Sequence, residues 1–171
     1  MISEFISKLL LTKQASFTDK EIEILDLNFS MQPLLSLVKF QNETKDEERM
    51  ERLGYFFSEA IVSHFKKRFA VEEKDMTNLW TNLFNISGFG KVQVVDMTKE
   101  KTILKLEKNN FAELYTKEYG IQKKPVCHLI SGIFKNFIGK TTGKKVECKE
   151  ISCVAMGNRV CTFELRSTQR L

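Results

Sequence analysis

The chain has 171 residues, 42% of them hydrophobic and 29% charged, which are the proportions of an ordinary globular domain and exclude intrinsic disorder. Its net charge is +5, but the basic residues are dispersed and clusters such as Lys66-Lys67-Arg68 and Lys144-Lys145 are short, so they read as a solvated face and argue against a nucleic-acid partner. Glu4 and Lys8 interrupt the apolar N-terminus, no run approaches about 18 uncharged apolar residues, and four cysteines in a chain this long make no disulfide scaffold, so a cytoplasmic protein with no membrane span is expected.

In chain order, residues 2–13 read as an amphipathic helix with Phe5, Ile6, Leu9 and Leu10 on one side. Ala15–Thr18 and Glu21–Leu25 alternate about Asp19-Lys20, which predicts a hairpin. Pro33 suits the first turn of a helix running through Phe40, and the polar stretch Gln41–Glu48 reads as a loop. Glu47–Ala70 is the strongest helix, with Met50, Leu53, Phe57, Ala60, Ile61, His64 and Phe65 in one apolar stripe. Asp75 caps a further helix through Phe84, ended at Gly88-Phe89-Gly90. Val92–Met97 and Thr102–Glu107 are strand-like. Asn110 with Glu113 resembles a capping box at the start of a short helix that Gly120 closes.

Pro125 opens another helix through about Lys140, with Cys127, Ile130, Phe134 and Phe137 or Ile138 on a shared face. Lys145–Cys153 and Arg159–Leu165 are the last strands, folded back at Met156-Gly157-Asn158. The whole reads as one α+β domain, 1–171, in which an antiparallel sheet packs against helices. Residues 1–45 form a helix–hairpin–helix region and 46–171 the core.

Two glycine motifs lead nowhere. Gly139-Lys140-Thr141 ends like a phosphate-binding loop, but Phe134 stands where the first glycine belongs and the segment follows a helix. Gly88-Phe89-Gly90 lacks the third glycine of a dinucleotide fingerprint, its place taken by Gln93. No serine or cysteine relay is visible, and His64, mid-stripe on the long helix, reads as a core histidine. The surplus of Phe, 14 against 3 Tyr and 1 Trp, fits a core or a ring-lined pocket better than a wet interface.

The cysteines carry the chemistry. Cys153 and Cys161 flank Gly157 symmetrically, four residues to either side, so a tight hairpin would make them cross-strand partners able to share one zinc or to form a disulfide. Cys127, on a helix able to lie over the hairpin, is the natural third ligand. Glu150 is a candidate fourth, with Cys148 and His128 as rivals. Residues 150 and 153 of a regular strand face opposite sides, so both reach one metal only if the strand bulges near Ile151-Ser152.

Cys127, a gap of 22 residues, then Glu150-x-x-Cys153-x₇-Cys161 followed by Phe163, resembles the metal-binding signature of the 4-vinyl reductase domain family. Gly132, Gly157 and the Cys-x-Phe of the final strand match as well, and Ser3-Glu4-Phe5-Ile6 through Leu34-Leu35-Ser36-Leu37 is similar to archaeal members, stand-alone ones among them. The resemblance implies that Cys127, Glu150, Cys153 and Cys161 hold a structural zinc with no open position, which leaves Cys148 a free thiol and gives Lys145, Lys149 or Arg159 a charge to offset.

It also implies a fold shared with nitric-oxide sensor domains and vesicle-tethering subunits, and pairing as a homodimer. The function expected is binding of a small apolar molecule by a sensory module, with the helices 47–70 and 75–87 and Trp80 walling a cavity. A protein-interaction scaffold and an enzyme or assembly factor in tetrapyrrole chemistry are the alternatives.

Overall fold

The protein is described here by a computed structural model, which covers residues 3–69, 73–98 and 100–168. Ile2, Ala70 and Lys99, which enter the expected first helix, long helix and turn, lie outside the described residues. Contacts divide the chain into two units, Met1–Pro33 and Leu34–Leu171.

The first unit holds α1 (Glu4–Leu11) and three short antiparallel strands, β1 (Ala15–Phe17), β2 (Ile22–Ile24) and β3 (Leu27–Phe29), in the order β1-β2-β3. The hairpin about Asp19-Lys20 forms, with the Thr18 hydroxyl accepting from the backbone N–H groups of Lys20 and Glu21. β3 escapes sequence reading because its turn is made by Leu25 and Asp26, at φ 53° and 59°. That is the conformation of a two-residue hairpin turn, which asparagine and glycine usually announce.

The second unit runs α2 (Leu34–Thr44), α3 (Glu47–Phe69), α4 (Glu73–Ile86), β4 (Gly90–Met97), β5 (Lys101–Asn109), α5 (Asn110–Tyr119), α6 (His128–Thr142), β6 (Val146–Ser152), a 3-10 turn (Val154–Met156) and β7 (Cys161–Ser167). The four strands form an antiparallel sheet in the order β4-β5-β7-β6. Leu104, Leu106, Phe163, Leu165 and Val146 are its buried residues, and Ile130, Phe134 and Phe137 are the matching buried side chains of α6. An α+β architecture with an antiparallel sheet is thus observed. α2 runs four residues beyond Phe40, because Gln41 turns inward and donates to the Val126 carbonyl at 2.7 Å. α6 starts three residues after Pro125, at a point set by Cys127.

The long helix buries a different face from the one its apolar residues suggest. Met50, Gly54, Ser58, Val62 and Phe65 are buried, whereas Phe57 and Ala60 of the expected stripe are exposed. The cause is a close crossing with α6. A Cβ added at Gly54 would stand 1.8 Å from the Leu129 carbonyl oxygen, and one at Gly132 would stand 1.8 Å from that of Glu51. Backbone therefore meets backbone at two reciprocal glycines, and small residues rather than large apolar ones define the seam. Charge fixes the register along it. Lys135 pairs with Glu51 at 2.6 Å, and Glu59 accepts from Asn136 at 2.7 Å and Lys140 at 3.0 Å. The Asn136 hydrogen bond most of all, and then that of Lys140, holds the Glu59 carboxyl below its ordinary range.

Gly54→Ala is the sharpest test of this seam. In an open helix the change would add about 1 kcal/mol of stability. Here it should remove about 1–3 kcal/mol by overpacking, read as a lower urea midpoint at unchanged slope. A raised midpoint would contradict the crossing.

Candidate metal centre

Four acidic side chains meet at the end of the sheet nearest the start of α6. One ligand atom from each of Cys127, Glu150, Cys153 and Cys161 lies within 4.8 Å of all the others, and all four residues are buried. Cys127 sits at the N-cap of α6 and Cys161 opens β7. Cys153 follows β6 and caps the 3-10 turn. The Glu150–Ser152 stretch carries a register shift against β7, with Glu150 opposite Phe163 and Ser152 opposite Thr162. This is the bulge that strand parity demanded if Glu150 and Cys153 were to face one point.

The link between the last two strands differs from the tight hairpin expected. Val154–Met156 coil into the 3-10 turn, Gly157 takes φ 88°, and Asn158 Oδ1 accepts from the Cys153 N–H at 3.1 Å. Cys153 and Cys161 thus come together through a coiled loop and not as a strand pair, since the β5 partner of Cys161 is Leu106. All four cysteines are free thiols, so the cross-strand disulfide considered from the spacing is not formed.

Neighbouring segments fix the ligands from outside. Gln41 holds the carbonyl just before Cys127, and the Gln122 N–H donates to the Ala155 carbonyl at 2.7 Å, tying the chain ahead of α6 to the 3-10 turn. Asn109, the last residue of β5, donates through Nδ2 to the sulfurs of Cys127 and Cys161, each at 3.1 Å. The Val154 N–H donates to Cys161 Sγ at 3.2 Å, and the Cys127 N–H to Glu150 Oε2 at 3.1 Å.

The donor set fits a divalent cation of zinc's kind. The Cys127 sulfur lies 4.0 Å from that of Cys153 and 3.9 Å from that of Cys161. Two thiolates bound tetrahedrally at about 2.3 Å should stand about 3.8 Å apart. Glu150 Oε1 is buried with no hydrogen-bond partner, which is costly for a carboxylate unless a cation serves it. Burial pushes the Glu150 carboxyl up to about 8 and the Cys127 thiol well above its ordinary range. Cys153 is held down, to about 2, by hydrogen bonds from the Cys127 and Cys161 thiols. One thiolate is therefore the most that this crowding tolerates by itself, and a bound cation is what would let all four groups ionise.

The rivals for the fourth position lie elsewhere. Cys148, on β6, hydrogen-bonds Ser131 of α6, and burial pushes its thiol up. His128 Nε2 is 3.8 Å from Glu47. Lys145, Lys149 and Arg159 are exposed, and the groups touching the sulfurs are neutral N–H donors. Sequence reading missed Asn109, having placed the helix cap one residue later. The true cap is Asn109 Oδ1, which accepts from the Ala112 N–H at 3.0 Å. An Asn-Asn pair before a helix holds two candidate caps, and only the sheet register decides between them.

Beside the centre lies a cluster of rings. Trp80 of α4 stacks on Phe137 of α6 at 3.8 Å between centroids and on Phe84 at 5.3 Å, with Phe134 edge-on at 5.8 Å. Phe134 meets Phe163 at 4.9 Å, and Phe163 is two residues from Cys161. Phe89, half-buried on the turn before β4, lies against Phe84 at 5.9 Å. The expected ring wall thus comes from α4, α6 and β7, and the rings fill the space between them. α3 instead exposes Phe56 and Phe57.

Residues 106–167, which include all four cluster residues and Asn109, match the vinyl-4-reductase (V-4-R) domain family. No curated protein matches the chain significantly. Among solved structures, the phenol-responsive sensory domain of the transcription activator PoxR, bound to phenol, superposes with TM-score 0.80 at 17% identity, over 97% of this chain and 92% of that one. A vinyl-4-reductase family protein from Methanocaldococcus jannaschii gives TM-score 0.55 at 17% identity, over 82% and 85%. A trafficking protein particle complex subunit 3 from Naegleria fowleri, covalently bound to palmitic acid, gives 0.56 at 13%, over 81% and 92%. Residues 106–167 of this chain are therefore a vinyl-4-reductase domain, and on them its membership of that family rests.

Proposed function

We propose that the protein is a sensory domain for a small apolar or aromatic molecule, stabilised by one structural zinc on Cys127, Glu150, Cys153 and Cys161. The observation that carries the sensory reading is a fold likeness over 97% of the chain to a domain that holds phenol, together with a ring cluster around one indole where α4 and α6 meet the sheet. A ligand of phenol's size would enter by displacing ring contacts, with Phe89 as the ring nearest solvent. Four protein ligands leave the metal no open position for water, so it would staple α6 to the β6–β7 link and do no hydrolytic chemistry.

The sensory reading is tested through Trp80, the single tryptophan of the chain. Titration with phenol and substituted phenols should change its fluorescence saturably and raise the unfolding midpoint. A flat fluorescence response with an unmoved unfolding midpoint would sink it. The zinc reading predicts about one zinc per chain in purified material and a fall of about 10 °C or more in the unfolding midpoint on chelation. Cys161→Ser should purify with much less metal. Unchanged zinc content in that variant would remove Cys161 from the ligand set.

A second reading, an interaction scaffold, is favoured by one observation. Phe56 and Phe57 are 53% and 40% exposed side by side on α3, with the Arg52 guanidinium 5.5 Å above the Phe56 ring. A homodimer through this face would bury them. Light scattering should then give twice the chain mass of 19.9 kDa, falling to the monomer value in Phe56→Glu. A monomer at high concentration would dismiss this reading.

A further inference from the structure

We propose that Asn109 is the positioning residue of the metal centre: its amide N–H groups fix the sulfurs of Cys127 and Cys161 as thiolate ligands while its amide oxygen caps α5. This rests on the metal reading above and adds to it a residue that is not itself a ligand.

The orientation of the amide follows from its surroundings. Asn109 is fully buried, at 0% exposure, so no water corrects a wrong orientation. Oxygen and nitrogen of an asparagine amide are assigned by their partners, and here one partner is unambiguous. The Ala112 N–H, 3.0 Å away, can only donate, so the atom facing it is the oxygen. The NH₂ group must then face the sulfurs, one hydrogen to each at 3.1 Å. A protonated thiol is a weak acceptor, whereas a thiolate is a good one, so two N–H groups aimed at two sulfurs suit anionic, metal-bound sulfur. The Val154 N–H adds a third such bond, to Cys161.

No other side chain meets both demands at this position. Aspartate would cap α5 but would turn a negative oxygen toward two thiolates. Serine would cap it but is too short to reach either sulfur. Glutamine carries the amide too far from the backbone to cap. Asparagine joins the end of β5 and the first turn of α5 to the metal ligands, and its donors spread the charge of a centre that would be −2 with three thiolates, one carboxylate and Zn²⁺.

The test uses the zinc-loaded protein and two variants that keep the capping oxygen, Asn109→Ser and Asn109→Asp. Competition with a chromophoric chelator should show zinc affinity about 10–100-fold weaker in Asn109→Ser, the usual cost of deleting a partner behind a metal ligand, and weaker still in Asn109→Asp. With cobalt in place of zinc, the thiolate-to-metal charge-transfer band should move to lower energy in Asn109→Ser, because sulfurs stripped of their N–H donors give up electron density more readily. A capping role alone would leave that band in place.

A measurement on the unaltered protein covers the case in which a variant fails to fold. Loaded with ¹¹³Cd, it should show scalar coupling between the cadmium and the Asn109 amide protons, transmitted across the N–H···S bonds. Parent-like zinc affinity and an unmoved cobalt band in Asn109→Ser, or absence of that coupling, overturns the assignment while leaving the four-ligand site intact. A parent protein that takes up no zinc, cobalt or cadmium overturns both.

Discussion

Three sulfurs and a carboxylate held within 4.8 Å of one another, away from water, are an arrangement that a folded chain does not keep without a reason. Each group is acidic, each is buried, and ionising one makes the next harder to ionise. The chain invests a bulge in β6, a coiled link in place of a hairpin, a buried amide at the end of β5 and a buried glutamine from α2 in bringing them together. Take the convergence away and these features lose their common purpose. Hydrogen bonding alone does not supply one, because Glu150 Oε1 is left without a partner.

From that point the C-terminal fold can be followed outward. Cys127 fixes where α6 begins, which sets which residue of α6 faces α3. Gly132, one turn on, then meets the backbone of α3 as Gly54 meets that of α6. With the two helices this close, Phe134 and Phe137 reach the space over the sheet, where they meet Trp80 and Phe163. Phe163 is the cross-strand partner of Glu150 and sits two residues from Cys161. The ring cluster and the acidic cluster are thus adjacent layers of one core, sharing β7 and α6.

Much of this was legible in the sequence, and the limits are physical. The four cluster residues could be named because their spacing is specific, and the requirement for a bulge followed from strand parity alone. The long helix was found, but its buried face was misjudged, since an apolar stripe counts Phe57 and ignores Gly54 and Ser58, whose value lies in being small. Asn109 was passed over for Asn110 because capping propensity does not distinguish adjacent asparagines. The third strand of the first unit went unseen because Leu25 and Asp26 make its turn without glycine. In each case the missing information was a contact distant in sequence or a backbone conformation atypical for its residue.

X-ray absorption at the zinc edge of the protein as purified probes the convergence most directly. The account predicts about three sulfur scatterers near 2.3 Å and about one oxygen near 2.0–2.2 Å, with no further light-atom shell at bonding distance. A spectrum dominated by nitrogen or oxygen, or four sulfurs with Cys148 drawn in, would contradict it.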